Sequence, residues 1–421
     1  MKLLWVCNVI IAEMAEKINH PKPQPASWIS GIYGELHKEQ DIHLVYLYPD
    51  SHWKDAFSFD NLDVIPFDTK WDEVSDETIN FFIKVLQEHK PDVIHIFGTE
   101  FSHTGAMVEA AERTGNIEKV VVSIQGLVSV YSKHFSAFLP HHVMSGKTFY
   151  EWVKFYGLKR QQQSFIKRGR MEEAVLRRVK HVIGRTDWDR ACVERINPDV
   201  VYHHCNENMR SSFYHNQWNY ENCEKHSVFV SQCYYPIKGL HLVLEAMADL
   251  IKWYPDIQLY TTGSINMDGS FESRIRRTYY QKYCMKLIRD YGLEKHITFL
   301  GYLDEQAMCQ RFLKSNVFVC ASSIENSPNS LGEAMLLGVP AISSDVGGVK
   351  NMMTHNEDGF VYQADAPYML AYYIKWVFEN SEKLSKFSNN AHQHAMRTHD
   401  RAENMRKLFN IYRAIERKSE V

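Results

Sequence analysis

The sequence lacks the features that would assign it to a zinc-binding, membrane-spanning or nucleic-acid-binding class. Its eight cysteines show no C-x-x-C or cysteine–histidine spacing of a zinc site, so we expect reduced thiols in a cytoplasmic protein. The apolar run at residues 3–11 is too short to span a bilayer and indicates a buried first strand. The formal net charge is −3, which gives the chain no overall positive charge, and no nucleic-acid partner is expected.

What the sequence contains is enough apolar residues for two domains. Hydrophobic residues make up 45% of the 421 positions, which is typical of globular domains. Short apolar runs alternate with longer amphipathic stretches, which predicts parallel sheets covered on both faces. The runs are residues 3–11, 43–48, 62–67, 92–97, 119–124, 181–184, 227–231, 257–262, 296–300, 316–321 and 340–344. We therefore predict an α/β fold with two doubly wound, Rossmann-like domains.

A polar, irregular interval between the two sets of runs sets the expected domain boundaries. We predict an N-terminal domain at 1–205, a linker at 206–226 and a C-terminal domain at 227–390. Residues 391–421 are predicted to be helical, lying against the C-terminal domain or crossing back to the N-terminal one. In open α/β sheets, ligands bind beyond the carboxyl ends of the strands, so the loops after these runs are the candidate functional loops.

The most informative segment is residues 322–340, where a strand is followed by a turn-rich loop and a short helix. The helix is predicted to begin near Ser330 and to end at Gly338. Free amides at Ser330, Leu331 and Gly332, together with the helix dipole, favour a phosphate group. The sequence therefore predicts that this loop receives a diphosphate, with Asn329 among the binding residues.

Two carboxylates flank this helix start. Glu325 precedes the helix and Glu333 lies in its first turn, so both can accept hydrogen bonds from hydroxyl groups of one ligand. Two simpler interpretations stay open. Glu333 could belong to a capping box of its own helix, and Glu325 could be a solvated loop residue.

The segment 325–340, E-N-S-P-N-S-L-G-E-A-M-L-L-G-V-P, resembles the signature of the retaining GT-B glycosyltransferases of family 4. The resemblance implies two Rossmann-like domains that face a central cleft, with a nucleotide-diphosphate sugar as donor in the C-terminal one. In that family the first glutamate meets the transferred sugar and the second meets the ribose. These roles are carried over to Glu325 and Glu333.

Further segments of the C-terminal domain are similar to the same family. The residues leading to Lys238 resemble a loop that supplies an arginine and a lysine to the diphosphate, and an ammonium there can neutralise charge on the departing phosphate. Gln232 stands at the arginine position and brings hydrogen-bond donors but no charge. Gly263 resembles the glycine turn near the donor, while Gly301 and Tyr302 resemble the loop that contacts the base. A surface aromatic is the alternative for Tyr302.

The N-terminal domain is expected to hold the acceptor, a glycan or a lipid-linked sugar. Gln125 follows a predicted strand where many family members carry a histidine near the transferred sugar. Glutamine cannot act as a general base, but it can hydrogen-bond a sugar hydroxyl, so we count Gln125 among the candidate catalytic residues. A strand-end amide that only pairs with the backbone is the alternative.

Residues 154–180 form a basic stretch with interleaved aromatic residues. It contains nine lysines and arginines against two acids, Glu172 and Glu173. Such a stretch suits an interfacial helix that binds anionic lipid, which would place the protein peripherally at the inner face of the membrane. A basic, solvated helix is the alternative.

Together these residues predict a retaining, metal-independent hexosyltransferase of cell-surface polysaccharide synthesis, with no cofactor beyond its nucleotide-sugar substrate. Two alternatives from other classes stay open. One is a GT-B-like nucleotide-sugar epimerase, and the other is a non-catalytic nucleotide-sugar-binding protein. The departures at Gln125 and Gln232 favour the non-catalytic protein, whereas the set of Glu325, Glu333 and Lys238 favours transfer.

Overall fold

The computed structural model describes residues 1–20, 27–39, 41–71, 73–232, 235–263 and 275–418. The chain divides into two units, each with its own sheet. Unit 1 consists of Met1–Ser132, Ser164–Asn208 and His399–Val421, and unit 2 consists of Lys133–Gln163 and Met209–Thr398.

The sheet of unit 1 contains eight strands within the described ranges. They are β1 (Lys2–Val6), β2 (His43–Pro49), β3 (Phe57–Phe59), β4 (Leu62–Phe67), β5 (Val93–Phe97), β6 (Val120–Ser123), β7 (His181–Gly184) and β8 (Val201–His204). Their order is β3-β4-β2-β1-β5-β6-β7-β8. Neighbouring strands are parallel except β3 and β4, which are antiparallel.

The sheet of unit 2 contains six strands within the described ranges, and all neighbouring pairs are parallel. They are β9 (Glu224–Val230), β10 (Gln258–Thr261), β11 (Ile297–Phe299), β12 (Ser315–Cys320), β13 (Ala341–Ser344) and β14 (Phe360–Tyr362). Their order is β11-β10-β9-β12-β13-β14. Parallel neighbours need crossover connections, which the helices between the strands provide.

Many of the described helices lie between successive strands and connect them, and the rest lie between other helices or at the end of the chain. They are α1 (Ala12–Lys17), α2 (Ser27–Leu36), α3 (Asp76–His89), α4 (Ser102–Arg113), α5 (Val128–His134), α6 (His141–Ser145), α7 (Phe149–Val153), α8 (Leu158–Leu176), α9 (Asp187–Ile196), α10 (Leu240–Leu250), α11 (Tyr279–Asp290), α12 (Glu305–Lys314), α13 (Asn329–Leu337), α14 (Val349–Met352), α15 (Pro367–Glu379), α16 (Ser381–Thr398) and α17 (Arg401–Lys418). Short 3-10 helices lie at Ile117–Lys119, Ser211–Phe213, Tyr220–Asn222 and Pro236–Lys238. None of the described helices is long and apolar enough to cross a membrane.

Strand β1 shows why the sheet of unit 1 is buried on both faces. Leu3 and Trp5 belong to a core that includes side chains of α1 and α2, whereas Leu4 and Val6 belong to a second core with α3 and α4. Successive side chains of a strand point to opposite faces of the sheet. A strand covered on both faces therefore needs a run without polar residues, as β1 has.

Helix α17 completes the first of these cores. Its Tyr412 is fully buried, and the hydroxyl oxygen lies 2.6 Å from Nδ1 of His95 on β5. The Nε2 atom of His95 lies 2.6 Å from the hydroxyl of Ser123. Burial lowers the pKa of His95 to about 3, so the imidazole is neutral at pH 7 and both of its nitrogens have partners.

The structure confirms the predicted α/β fold of Rossmann-like domains, since each of the predicted apolar runs contains a strand. The edge strands β3, β8 and β14 were not among the predicted runs. The division of the chain differs from the expected boundaries because residues 133–163 group with unit 2. Residues 399–421 group with unit 1, which is one of the two placements expected for the C-terminal segment. Residues 133–163 group with unit 2 because His241 Nε2 lies 2.7 Å from the carbonyl oxygen of Ala137, and the amide of Tyr279 donates to Glu151.

Removing the hydroxyl of Tyr412 should destabilise the protein. In Tyr412→Phe the buried Nδ1 of His95 loses its partner, which we expect to lower the free energy of unfolding by about 1–3 kcal/mol. The matched control is Tyr372→Phe, an exposed tyrosine, which should change stability by less than about 0.5 kcal/mol. Urea denaturation followed by circular dichroism measures both, and equal midpoints for the two variants would contradict the assignment.

Candidate donor site

The predicted site residues of unit 2 lie at one edge of its sheet. The positions just beyond β9, β10, β11 and β12 include Gln232, Gly263, Gly301 and Glu325, respectively. These are the carboxyl ends of adjacent parallel strands, where open α/β sheets bind their ligands. The amide of Gly263 donates to the carbonyl oxygen of Gly301 at 2.9 Å, so these two loops are joined directly.

Helix α13 begins at this edge without a side chain that caps it. Its N-cap is Pro328, whose carbonyl oxygen accepts from the amide of Leu331 at 2.9 Å and from that of Gly332 at 3.2 Å, so the expectation of free amides at these two residues is wrong. The amides of Asn329 and Ser330 make no hydrogen bond within the described residues. They are the donors that the helix offers to an anion, and Gly338, with φ of 73°, ends the helix as predicted.

Lys238 and Glu325 form an ion pair beside this helix start. The Lys238 ammonium lies 2.5 Å from Oε1 of Glu325, and Ser322 donates its hydroxyl hydrogen to the same oxygen at 2.7 Å. Burial opposes the charge on Lys238, but the attraction of the Glu325 carboxylate outweighs it, so the pKa of Lys238 is raised. Glu325 is only 7% exposed, so the interpretation as a solvated loop residue is wrong.

Two glycines with positive φ allow the close backbone packing that positions Lys238 and Glu325. Gly239, with φ of 72°, follows Lys238, and a Cβ atom there would lie 1.9 Å from the carbonyl oxygen of Ala321. Gly347, with φ of 51°, packs against Glu325 itself, where a Cβ atom would lie 1.7 Å from the carbonyl oxygen. Only glycine fits either position, because any side chain would push the two loops apart.

Glu333 is held by an arginine that the sequence analysis did not identify. Its two carboxylate oxygens accept from Nε and Nη2 of Arg210 at 2.7 and 2.8 Å. The capping-box interpretation of Glu333 is therefore wrong, since both oxygens are engaged by a guanidinium. Burial raises the pKa of Glu333, and the charge of Arg210 opposes that shift. The bidentate contact is the geometry of an ionised carboxylate.

Arg210 lies in the predicted linker and is separated from Glu333 by 123 residues. No local pattern marks it, because its partner is set by the tertiary fold. One signal was present, since the neutral Gln232 at the expected arginine position left the positive charge near the donor unassigned. Arg210 does not replace the arginine expected at position 232, because it binds the carboxylate assigned to the ribose and not the diphosphate.

Two of the remaining predicted donor residues are exposed, and a third has a buried polar atom. Gln232 is exposed at the end of β9, and Tyr302 is 70% exposed beside Gly301. The Oδ1 atom of Asn329 is buried without a hydrogen-bond partner among the described residues. The side chains of Gln232 and Tyr302 can therefore meet a ligand from solvent, and the roles of all three residues in binding stay predictions.

Gln125 lies in unit 1, at the end of β6. Its amide donates to Oε1 of Glu207 at 2.9 Å, and Nη1 of Arg185 lies 2.6 Å from Oε2 of the same carboxylate. Arg185 also donates to the carbonyl oxygen of Ile124 at 2.8 Å. These polar groups line a pocket of unit 1, so Gln125 does more than pair with the backbone.

A comparison with known protein families identifies the group to which the C-terminal segment is similar. Residues 212–394 match the family model for glycosyl transferases group 1. The protein YtcC of Bacillus subtilis is 26% identical over 182 residues, which are 43% of this chain and 43% of that protein. The matched part of the chain thus spans less than half the length of this relative.

Solved structures similar to the chain extend over both units. Sucrose-phosphate synthase from Thermosynechococcus elongatus has a TM-score of 0.70 at 14% identity and covers 99% of each chain. The Anabaena protein HepE in complex with UDP-glucose has a TM-score of 0.67 at 15% identity, covering 98% of this chain and 100% of that one. At these identities the likeness establishes the fold, which is GT-B.

Removing Arg210 should leave Glu333 as an unpaired buried carboxylate. We expect Arg210→Leu to lower the free energy of unfolding by about 3–5 kcal/mol, because a buried pair loses one partner. The folded-state pKa of Glu333, already raised, should rise further. A group with a raised folded pKa contributes stability below its unfolded pKa and loses it as pH rises, so the deficit should be larger at about pH 8 than at about pH 5.

Two further variants test this account of the pair. Arg210→Leu/Glu333→Leu removes both charges and should regain most of the lost stability. Arg406→Leu breaks an exposed pair with Glu403 and should cost less than about 1 kcal/mol. Urea denaturation at both pH values measures all of them, and a pH-independent deficit in Arg210→Leu would refute the assignment.

Proposed function

We propose that this chain, whose residues 212–394 match the group 1 glycosyl transferases, transfers a sugar from a nucleotide-diphosphate sugar to an acceptor hydroxyl. One observation carries the proposal. The paired Lys238 and Glu325, in contact at 2.5 Å, lie at the strand edge from which the free amides of Asn329 and Ser330 emerge. A diphosphate and a hydroxyl-rich ring are the ligand groups that these donors and acceptors fit.

The diphosphate would be held by the helix start and the lysine. Asn329 and Ser330 offer two backbone donors at the positive end of the α13 dipole. The Lys238 ammonium has three hydrogens, so it can keep Glu325 and still reach a phosphate oxygen. Negative charge grows on the phosphate as the sugar leaves, and a fixed cation stabilises that charge most in the transition state.

Glu325 would bind the transferred sugar and Glu333 the ribose. Glu325 already accepts from Ser322 and Lys238, which fixes the orientation of its carboxylate. Arg210 likewise fixes the carboxylate of Glu333 through two hydrogen bonds, so neither acidic side chain has to become ordered when the donor binds. Positions that are set before binding cost less entropy during it. Arg210 acts here as a positioning residue.

We propose that the reaction is a retaining transfer, as in family 4, in which the anomeric configuration of the sugar is kept. The bond from the anomeric carbon to the diphosphate oxygen breaks, and the acceptor oxygen attacks from the same face. The acceptor proton passes to the departing phosphate oxygen, so no side-chain base is needed. This suits Gln125, which cannot take a proton but can hydrogen-bond a hydroxyl.

A UDP-sugar is the donor to test first, because the similar HepE structure contains UDP-glucose. We further propose a cytoplasmic enzyme that acts without a metal cofactor in cell-surface polysaccharide synthesis. Lys238 and the α13 amides would supply the positive charge that a divalent ion provides elsewhere. The acceptor would be a glycan or a lipid-linked sugar presented at the inner face of the membrane.

Neutralising Glu325 should abolish turnover without unfolding the protein. We expect Glu325→Gln to lower the rate of UDP-glucose consumption at least about 100-fold, since an oriented carboxylate beside the reacting sugar is lost. Lys238→Met should have a similar effect. Glu382→Gln changes an exposed carboxylate on α16 and should leave the rate unchanged. Liberated UDP measures turnover, and the thermal midpoint with UDP reports folding and binding.

Unchanged turnover in folded Glu325→Gln would refute the catalytic role. Two other outcomes would favour the alternative functions. Conversion of the donor into an isomeric sugar nucleotide without acceptor indicates an epimerase. Stabilisation by UDP with no turnover of any UDP-, GDP- or ADP-sugar indicates a binding protein.

The stereochemistry and metal requirement of transfer form a separate prediction. With an α-linked UDP-sugar, the product should carry an α linkage, which the anomeric proton coupling in NMR spectra distinguishes from β. The rate should be the same in excess EDTA as in magnesium, because the cationic groups belong to the protein. A β-linked product excludes the retaining mechanism, and activity that returns only with magnesium excludes metal independence.

A further inference from the structure

The segment between α6 and α8 carries a dense group of exposed aromatic side chains. Phe149 is 76% exposed, Trp152 67% and Phe155 73%. Val153 and Tyr156, next to them in the sequence, are also exposed. Isolated exposed apolar residues are normal on proteins, but a contiguous group of this size marks an interaction surface. We call it the aromatic–basic patch, and its members are Lys147, Phe149, Trp152, Val153, Lys154, Phe155, Tyr156, Lys159 and Arg160.

Side-chain contacts show that these residues form one surface. The rings of Phe149 and Trp152 are stacked with centroids 6.1 Å apart. The guanidinium of Arg160 lies over the ring of Phe155 at 5.7 Å. The stem of Lys147 lies against Gly157, at about van der Waals distance from where a Cβ atom would be. One cation, Arg160, therefore lies directly over an aromatic ring of the patch, and the stem of Lys147 packs on the turn that follows Phe155.

The patch is anchored to unit 2 and does not depend on its own apolar residues for folding. Thr148 and Glu151 form a capping box at the start of α7. The same Glu151 carboxylate accepts from the amide of Tyr279 at 3.0 Å, and Gly146 packs against the Tyr279 ring. Phe155 has φ of 49°, an unfavourable value for an aromatic residue, and this turn keeps its ring exposed.

The charge of this surface has a single sign. Residues 133–163 contain five lysines and arginines, and their one acid, Glu151, is buried. Within the described residues, no ion pair involves Lys147, Lys154, Lys159 or Arg160. Exposed rings among unpaired cations fit a partner that has both an apolar layer and negative charge.

The ion pairs also show which cations of the predicted basic stretch, residues 154–180, are available to an external partner. In its C-terminal part, Arg177 pairs with Glu173, Arg178 with Glu109 and Glu112, and Lys180 with Glu118. Arg168 is buried and lies over aromatic rings. These cations are already paired with carboxylates or buried, so they contribute little to the binding of an external anion. Lys154, Lys159 and Arg160, at the N-terminal end of the stretch and close in sequence to the exposed rings, have no ion pair within the described residues. The exposed Arg170, in the middle of the stretch, has none there either.

We propose that the aromatic–basic patch docks the protein on an anionic phospholipid bilayer. Phe149, Trp152 and Phe155 would enter the boundary between head groups and acyl chains, where aromatic side chains are favoured. The lysines and Arg160 would meet lipid phosphates in the plane above. This docking goes beyond the proposed function, because it involves none of the donor-site residues and holds whether or not transfer occurs.

Vesicle sedimentation with the full chain tests the proposal. The probes are vesicles of phosphatidylcholine alone and of phosphatidylcholine with roughly a quarter phosphatidylglycerol. We expect binding to the anionic vesicles that weakens as salt rises from about 0.05 M to about 0.5 M. Phe149→Ser/Trp152→Ser/Phe155→Ser should lower the partition coefficient at least about tenfold, since three rings no longer enter the bilayer.

Two further variants distinguish binding through this surface from nonspecific adsorption to vesicles. Trp253→Ser/Tyr368→Ser/Tyr372→Ser removes exposed aromatic residues elsewhere in unit 2 and should leave partitioning unchanged. Lys147→Gln/Lys154→Gln/Lys159→Gln should weaken binding to anionic vesicles and remove most of its salt dependence. All variants should keep the same stabilisation by UDP, which separates a failure here from a failure of the proposed donor site.

Three results would overturn the proposal. One is equal partitioning of the wild type and the aromatic variant. Another is equal binding to neutral and anionic vesicles. The third is a wild-type dimer, seen by light scattering, that becomes a monomer in the aromatic variant, because the patch would then be an interface between protein copies.

Discussion

The contact between Lys238 and Glu325 is the constraint on which the donor site depends. It brings a cation and an anion from loops 87 residues apart to 2.5 Å, beside a helix start with two free amides. The contact is possible because Gly239 lies against a carbonyl oxygen with no room for a side chain. Backbone geometry thus holds the two charges together, so that in the proposed donor complex a phosphate would meet a fixed cation and a sugar would meet a fixed carboxylate.

The two acids of the motif are each held by a basic partner, with different consequences. Glu325 is shared with a lysine, whose ammonium keeps hydrogens for a further ligand. Glu333 is held by both arms of the Arg210 fork, which fixes its plane and leaves only its remaining lone pairs for a ribose. In the proposed donor complex, a lysine point charge would thus face the departing phosphate, and a planar arginine fork would orient the carboxylate assigned to the ribose.

Hydrophobic periodicity was sufficient to predict the fold, because strands such as β1 and β12 contain uninterrupted apolar runs, at residues 3–6 and 317–320. The helix start after Pro328 was predicted from local turn and capping signals, although the amide of Leu331 turned out to be engaged within the turn. Pairings between distant residues could not be predicted. Arg210 and Glu333 are brought together only by tertiary packing, and residues 133–163 join unit 2 through contacts such as Glu151 with Tyr279.

The central claim is that the backbone amides at the start of α13 bind a diphosphate. Hydrogen–deuterium exchange with and without UDP tests it most directly, with fragmentation that resolves single amides. Because the backbone amides of Asn329 and Ser330 make no hydrogen bond to any described residue, both should exchange fast without ligand and become protected when UDP is bound. Protection that appears elsewhere in the chain, with these two amides still exchanging fast at saturating UDP, would contradict the account.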